Sequence, residues 1–204
     1  MENQFYDRKA IKNAAKKTYN NDNVRWWIVL VNLVYLGIQS VALSAAGIGI
    51  FFVAPVKAGV YYCAKDALKT KKVSLEKIFD GYKGNWLRYV AADVLIKLIV
   101  FAGMLLLIVP GIIWSYAYSQ TFFILAENPE MTATEAMAKS KEMMVGYKFK
   151  LFVLDLSFIG YMLLNAITVG IWGILVYQPY YLLTITNFFL FLKQKQFDDV
   201  EIIE

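Results

Sequence analysis

Residues 89–126 read YVAADVLIKLIVFAGMLLLIVPGIIWSYAYSQTFFILA, and this stretch decides the fold. Two apolar runs, 89–109 and 111–126, meet at Pro110, and a membrane-spanning helix needs about 20 mostly apolar residues. A Pro-Gly pair between two such runs predicts a tight hairpin of two transmembrane helices. Four further apolar stretches are similar in character: 26–46, 47–64, 151–168 and 171–192. The sequence therefore predicts an all-α, polytopic membrane protein with six transmembrane helices in a single membrane domain over 1–204.

The composition supports a membrane class and excludes several kinds of chemistry. Hydrophobic residues make up 59% of the 204 residues and charged residues 18%, whereas soluble domains average about 45–50% apolar and 25% charged. The chain has no histidine, which excludes His-based acid–base catalysis and His-ligated metals. The single cysteine, Cys63, has no partner for an internal disulfide. We therefore expect no enzymatic activity and no cofactor or metal.

The positive charges predict the orientation in the membrane. Nearly all of the 21 lysines and arginines precede residue 26, follow residue 192, or occur between 65 and 88 or between 139 and 150. The short turns near Gly47, Pro110 and Gly170 contain none. Cytoplasmic loops carry an excess of Lys and Arg, so we expect both termini and both long loops to be cytoplasmic. The first 25 residues are polar, so no signal peptide is expected there.

A spacing of 62 residues suggests an internal three-fold repeat. Gly-Ile pairs begin at Gly49, Gly111 and Gly173, each just beyond an expected outer turn. With the same offset Gly84 aligns with Gly146. The predicted units are 1–72, 73–131 and 132–204, each a cytoplasmic amphipathic helix followed by a transmembrane hairpin. The alternative is that a chain rich in glycine and apolar residues produces such spacings by chance.

Each predicted amphipathic helix has an apolar face with helical spacing. In the second unit this face is Leu75, Ile78, Phe79 and Tyr82. In the third, Thr132 and Glu135 form a capping-box pattern, and the apolar face includes Met137, Met143 and Met144. The face is weaker in the first unit, with Phe5, Ile11, Ala15 and Tyr19. These helices are too short to span a bilayer, so we expect them in the inner interface or beneath the bundle, with the methionines as an adaptable docking surface.

Four ionisable residues fall within the predicted spans: Lys57, Asp93, Lys97 and Asp155. Asp93 and Lys97 are spaced i, i+4 in the favoured order, and Lys57 and Asp155, which lack partners on their own helices, are expected to pair across helices. Intramembrane charges usually face the bundle interior and mark a function. Three interpretations remain: buried pairs that orient the hairpins, a polar cavity for an ion, proton or cationic substrate, or simple snorkelling.

Two further features of the sequence each have an alternative functional interpretation. Glu127, Glu130 and Glu135 cluster near the inner end of the fourth span and could form a metal site, although the chain lacks the histidines that would complete one. Cys63, near the cytoplasmic boundary, is a packing residue or an acylation site.

Several motifs carry a resemblance to a known family. They are PGII at 110–113, SYAYS at 115–119, ENPE at 127–130, LSFIG at 156–160 and QPYY at 178–181. Over nearly the whole chain, the sequence resembles the domain-of-unknown-function family number 975, uncharacterised integral membrane proteins of Gram-positive bacteria. This resemblance implies a multi-pass protein of the bacterial plasma membrane and supplies no catalytic residues.

We therefore expect a non-enzymatic scaffold, accessory or protective factor that acts through lipid or partner contacts at the cytoplasmic interface. The expected partners are the bilayer and anionic inner-leaflet lipid, with another membrane protein or a second copy of the chain as further candidates, and no nucleic acid. The alternative is a transporter or channel that uses the Asp/Lys cluster.

Overall fold

In a computed structural model the protein is a bundle of helices. The structure describes residues 6–44, 49–168 and 170–201, and this part of the chain contains no strand. Its α-helices are α1 (Arg8–Tyr19), α2 (Asp22–Ser44), α3 (Gly49–Thr70), α4 (Leu87–Leu106), α5 (Ile108–Ala117), α6 (Thr121–Glu127), α7 (Ala133–Met143), α8 (Lys148–Leu156), α9 (Ile159–Ile167) and α10 (Gln178–Glu201). A 3₁₀ helix (Leu75–Tyr82) joins α3 to α4, and a π-helical turn (Gly173–Tyr177) precedes α10.

Among the described residues, five helical segments are long and apolar enough to cross a membrane. They are Asp22–Val41, Leu87–Leu106, Ile108–Glu127, Lys148–Ile167 and Gly173–Gln196. Three of them combine shorter helices: α5 with α6, α8 with α9, and the π-helical turn with α10. The predicted all-helical class is confirmed, and the five candidate spans support a membrane protein. The predicted second span, 47–64, is not among these five segments.

The helix in that region, α3, is the central element of the bundle. It packs against α2, α4, α6, α10 and the 3₁₀ helix. Its side chains are buried on opposite sides, as at Ala54 and Ala58 on one side and Val56 and Cys63 on the other. Because protein surrounds α3, it can carry more charge than a helix that faces lipid.

The 3₁₀ helix packs directly against the backbone of α3. A Cβ atom built on Gly59 would lie 1.8 Å from the carbonyl oxygen of Ile78, and one built on Gly81 would lie 1.9 Å from that of Pro55. Only glycine permits such a close approach of two backbones. The segment therefore lies beside the middle of the predicted second span, and of its two predicted positions the one beneath the bundle is wrong, while the one in the inner interface stays a prediction.

The predicted apolar face of this segment is also partly wrong. Ile78 is buried, and Leu75 and Tyr82 are half-buried, but Phe79 is 54% exposed. A 3₁₀ helix has three residues per turn, so positions i and i+3 share a face and i+4 turns away from it. The i, i+3, i+4, i+7 pattern assumed an α-helix and so misplaced Phe79.

Helix α7 has the predicted start but not the predicted surface. Thr132 is its N-cap, with Glu135 completing the capping box. Met137, Met143 and Met144 are 6%, 9% and 0% exposed, respectively. These methionines belong to the packed core, so their predicted role as a free docking surface is wrong. A short helix shows the same apolar stripe whether it faces a partner or its own bundle.

Helix α1 lies along α10 rather than across its end. Tyr6, just before α1, packs edge-to-face on Phe188 and Phe191. At the other end of α1 the Tyr19 hydroxyl donates to the carbonyl of Leu175 at 2.8 Å. Ile11 and Ala15 are buried as predicted, and Phe5 lies outside the described residues. The predicted position beneath the bundle is therefore wrong for this helix as well, and the position in the inner interface stays a prediction.

Candidate functional site

Asp93 is the centre of a three-residue charge cluster. Its side chain on α4 is 6% exposed, with Lys57 Nζ 2.6 Å from Oδ1 and Lys97 Nζ 2.5 Å from Oδ2. The i, i+4 pair of Asp93 and Lys97 is present as predicted. The predicted pairing of Lys57 with Asp155 is wrong, because α3 packs against α4 and brings Lys57 to Asp93. Two ammonium groups thus neutralise one buried carboxylate.

Asp155 is held by tyrosines. The Tyr116 hydroxyl donates to Oδ2 at 2.9 Å and the Tyr181 hydroxyl to Oδ1 at 3.0 Å. No lysine or arginine of the described residues forms an ion pair with Asp155. Tyr116 belongs to the SYAYS motif and Tyr181 to QPYY, so these tyrosines and Asp155 were each visible in the sequence but their contact was not.

Glu127 forms a second charge cluster that sequence reasoning missed. Its side chain, at the end of α6, is 6% exposed, and Lys65 Nζ lies 2.5 Å from Oε1. Tyr61 donates to the same oxygen at 2.7 Å, and Lys193 pairs with Oε2. The carboxylate therefore joins α3, α6 and α10. A signal existed, because Lys65 and Glu127 are separated by the 62-residue spacing of the predicted repeat.

The acidic metal site that the sequence allowed as an alternative is not assembled in the described residues. Glu135 is committed to the capping box, and Glu127 to its two lysines. In the described part of the chain, no three His, Cys, Asp or Glu side chains are grouped to hold a metal. Cys63 is fully buried, and its thiol donates to the carbonyl of Ser74 at 3.4 Å, so packing is its role in this structure.

Three aromatic rings pack against one another beside Glu127. The rings of Tyr61 and Phe123 meet edge-to-face with centroids 4.8 Å apart, and Phe123 stacks on Phe189 at 5.2 Å. Each ring comes from a different one of the three helices that Glu127 joins. We call Tyr61, Phe123 and Phe189 the aromatic plug.

Arg88 secures the adjoining end of α6. Its guanidinium Nη1 donates to the carbonyls of Asn128 and Pro129, both at 2.6 Å, and the residue is 8% exposed. These carbonyls follow the last turn of α6, where the helix cannot satisfy them itself. Arg88 was expected only as a boundary charge, and it is a buried cap that connects α4 to α6.

A cavity of about 330 Å³ opens between the ends of α6, α7 and α10. It is lined by Ile124, Glu127, Asn128, Lys139, Met143, Phe189, Lys193 and Gln196. Glu127 and Lys193 connect it to the second charge cluster, and Phe189 connects it to the aromatic plug.

Comparison with known proteins identifies the family. A family described as "Protein of unknown function (DUF975)" matches residues 88–196. The chain belongs to this family. The match runs from the first turn of α4 into the last part of α10, less than the nearly complete coverage that the motifs suggested. No curated protein and no solved structure matches the chain.

Proposed function

We propose that the chain is a non-enzymatic, multi-pass plasma-membrane protein that acts as a scaffold, accessory or protective factor. In this proposal it works through lipid or partner contacts at the cytoplasmic interface. The carrying observation is that the aromatic plug packs beside a carboxylate already paired with Lys65 and Lys193. Ion pairs between helices fix the orientation of those helices. Side chains engaged in such pairs are not free to bind a transported substrate.

The proposal includes six crossings, with α3 as the sixth. Helix α3 has 22 residues, enough for about 33 Å of helix. Three of its four charged side chains have internal partners, since Lys57 pairs with Asp93, Lys65 with Glu127 and Asp66 with Lys77, and the fourth, Lys69, is exposed near its C-terminal end. A helix so shielded can cross a membrane with lower mean hydropathy than its neighbours. Six crossings and the positive-inside rule place both termini in the cytoplasm.

The proposal also includes the three-fold repeat. The short helix of each unit packs on the second helix of the preceding one: the 3₁₀ helix on α3 and α7 on α6, while α1 closes the ring on α10. Gly84 and Gly146, which the repeat aligns, have φ of 74° and 75°. These contacts favour three similar units over a chance spacing of glycines.

The surface proposed to contact anionic lipid is formed by the N-terminal ends of the first membrane-spanning helix of each unit. Trp26, Leu87 and Phe149 are 60%, 57% and 73% exposed at the starts of α2, α4 and α8. Lysines occur in the adjoining segments, such as Lys72 and Lys148. Bulky apolar side chains next to cations favour the interface between headgroups and acyl chains.

One observation favours transport as a second candidate function. Asp155 is a carboxylate within a candidate span, and its described partners are tyrosine hydroxyls rather than cations. A carboxylate without a permanent counter-ion is suited to bind a proton or a cation. If the protein transports, Asp155 is therefore a better candidate than the paired Asp93.

Reconstitution tests the two functions together. The protein is placed in liposomes, and proton and potassium fluxes are compared with those of empty liposomes. Lipid enrichment is measured in parallel on discs excised from mixed phosphatidylcholine and phosphatidylglycerol membranes. We expect no added flux and an enrichment of phosphatidylglycerol that decreases with Lys72→Gln and Lys148→Gln. Transport would instead be established if the wild type and Asp93→Asn both produced a flux and Asp155→Asn produced none.

A further inference from the structure

The cavity between α6, α7 and α10 has an apolar floor and a basic mouth. Ile124 and Phe189 lie one helical turn before the charged Glu127 and Lys193 on α6 and α10, respectively, and Met143 lies one turn after Lys139 on α7. Its volume of about 330 Å³ is in the range of small-molecule sites, about 300–1,000 Å³. A ligand that fits it has a polar head and an apolar stem.

The charges around the cavity favour an anion. Lys139 is half-buried and has no ion pair or hydrogen bond to any described residue. Lys193 and Lys65 both bind the single carboxylate of Glu127. The cavity lining and the Glu127 cluster at its edge thus contain three ammonium groups and one carboxylate, which leaves a surplus of positive charge. Glu127 also fixes the position of Lys193, whose side chain is 40% exposed and has further N–H donors to offer.

We propose that this cavity binds the phosphate group of one anionic phospholipid, with the adjoining glycerol and first acyl carbons against Ile124, Met143 and Phe189. Lys139 and Lys193 would donate to the phosphate oxygens as point charges. The inference rests on the proposed function in one respect, because it requires this end of the bundle to face anionic lipid. It adds a specific site to a general preference for charged membranes.

A short-chain lipid tests the site without a bilayer. The probe is dihexanoylphosphatidylglycerol, titrated by calorimetry against the full-length protein in a zwitterionic detergent. We expect saturable binding that Lys139→Gln weakens at least tenfold. Lys141→Gln removes an exposed lysine from the same helix and is the matched control, expected to leave the affinity unchanged. Met143→Trp, which fills the cavity from its apolar side, should abolish binding, and circular dichroism checks that each variant is folded.

Two further probes identify the source of the anion. Inorganic phosphate and sn-glycerol 3-phosphate carry the head without the apolar stem, and we expect each to bind at least tenfold more weakly than the short-chain lipid. Equal affinity for inorganic phosphate would overturn the lipid assignment in favour of a soluble anion. Equal binding by the wild type, Lys139→Gln and Met143→Trp would overturn the site itself. If the cavity variants bound equally but phosphatidylglycerol was still enriched in the excised discs, the proposed site would be refuted while the proposed function would stand.

Discussion

At the scale of single residues, each buried carboxylate has a different set of partners. Asp93 has two lysines, Glu127 has two lysines and a tyrosine, and Asp155 has two tyrosines. Sequence reasoning found Asp93, Lys97, Lys57 and Asp155 because charge within an apolar run is conspicuous. It paired Lys57 wrongly because the choice of partner depends on which helices pack together, and spacing along one helix carries no information about that.

A double-mutant cycle tests the observed pairing. Asp93→Leu should destabilise the protein in detergent by about 3–5 kcal/mol, because it leaves Lys57 without a counter-ion in the bundle. Lys57→Leu should cost less, since Lys97 still neutralises Asp93, and the pair should be coupled by roughly 1–3 kcal/mol. Thermal unfolding of both single variants and the double variant measures this coupling. Lys57→Leu with Asp155→Leu is the control and should be additive, and coupling in that pair instead would refute the arrangement.

At the scale of elements, the helices were easier to predict from the sequence than the packing of their side chains in the bundle. The capping box of α7 was readable from Thr132 and Glu135, because the hydrogen bonds that start a helix are local. The burial of Met137, Met143 and Met144 was not readable, since it depends on α7 packing into the bundle. The 3₁₀ helix was predicted as an α-helix because its apolar residues fit both spacings, and the glycine contacts that fix it to α3 are tertiary.

Those glycine contacts predict a strong effect of a single methyl group. Gly59→Ala and Gly81→Ala should each destabilise the protein by about 1–3 kcal/mol or more, because the added Cβ meets backbone atoms that cannot turn aside. Gly37→Ala in α2, where a Cβ meets nothing within 4 Å, is the matched control. We expect it to be neutral or slightly stabilising, since alanine is the better helix former. Equal melting temperatures for the three variants would mean that the 3₁₀ helix is not packed on α3.

The buried methionines predict a failure of folding. Met144→Glu places a carboxylate where the side chain is fully buried, and an unpaired buried charge is strongly destabilising. We expect reduced yield of folded protein in the membrane fraction and earlier thermal unfolding. Val145→Glu, at a neighbouring exposed position, is the control and should be nearly neutral. Normal folding of Met144→Glu would restore the docking interpretation of this surface.

The capping box predicts a small dependence of stability on pH. The backbone N–H and side-chain hydroxyl of Thr132 lower the pKa of Glu135 from its ordinary value of 4.5. A depressed folded-state pKa contributes stability that is present above the ordinary value and is lost as the pH falls through the folded one. Melting curves between pH 6 and pH 3 should therefore decline less for Glu135→Gln than for the wild type. Glu142→Gln, an exposed carboxylate in the same helix, should follow the wild type, and identical slopes for all three proteins would contradict a role of Glu135 in capping.

At the scale of the whole molecule, composition and apolar runs were sufficient to predict an all-helical membrane protein. They did not predict that one helix, α3, would be enclosed by the others. A hydropathy pattern records whether a helix tolerates lipid, whereas α3 faces mainly protein and compensates its charges with Asp93, Glu127 and Lys77. The number of crossings therefore depends on packing, and the proposed orientation and surface both follow from that number.

The most direct test is to determine which side of the membrane each end of α3 faces. Single cysteines are introduced at Ala45, Lys71, Pro110 and Lys139 in a Cys63→Ser background and labelled in sealed cells with a membrane-impermeant maleimide. Six crossings with cytoplasmic termini predict that Ala45→Cys and Pro110→Cys label from outside, and that Lys71→Cys and Lys139→Cys label only after permeabilisation. Labelling of Lys71→Cys from outside in sealed cells would contradict the account.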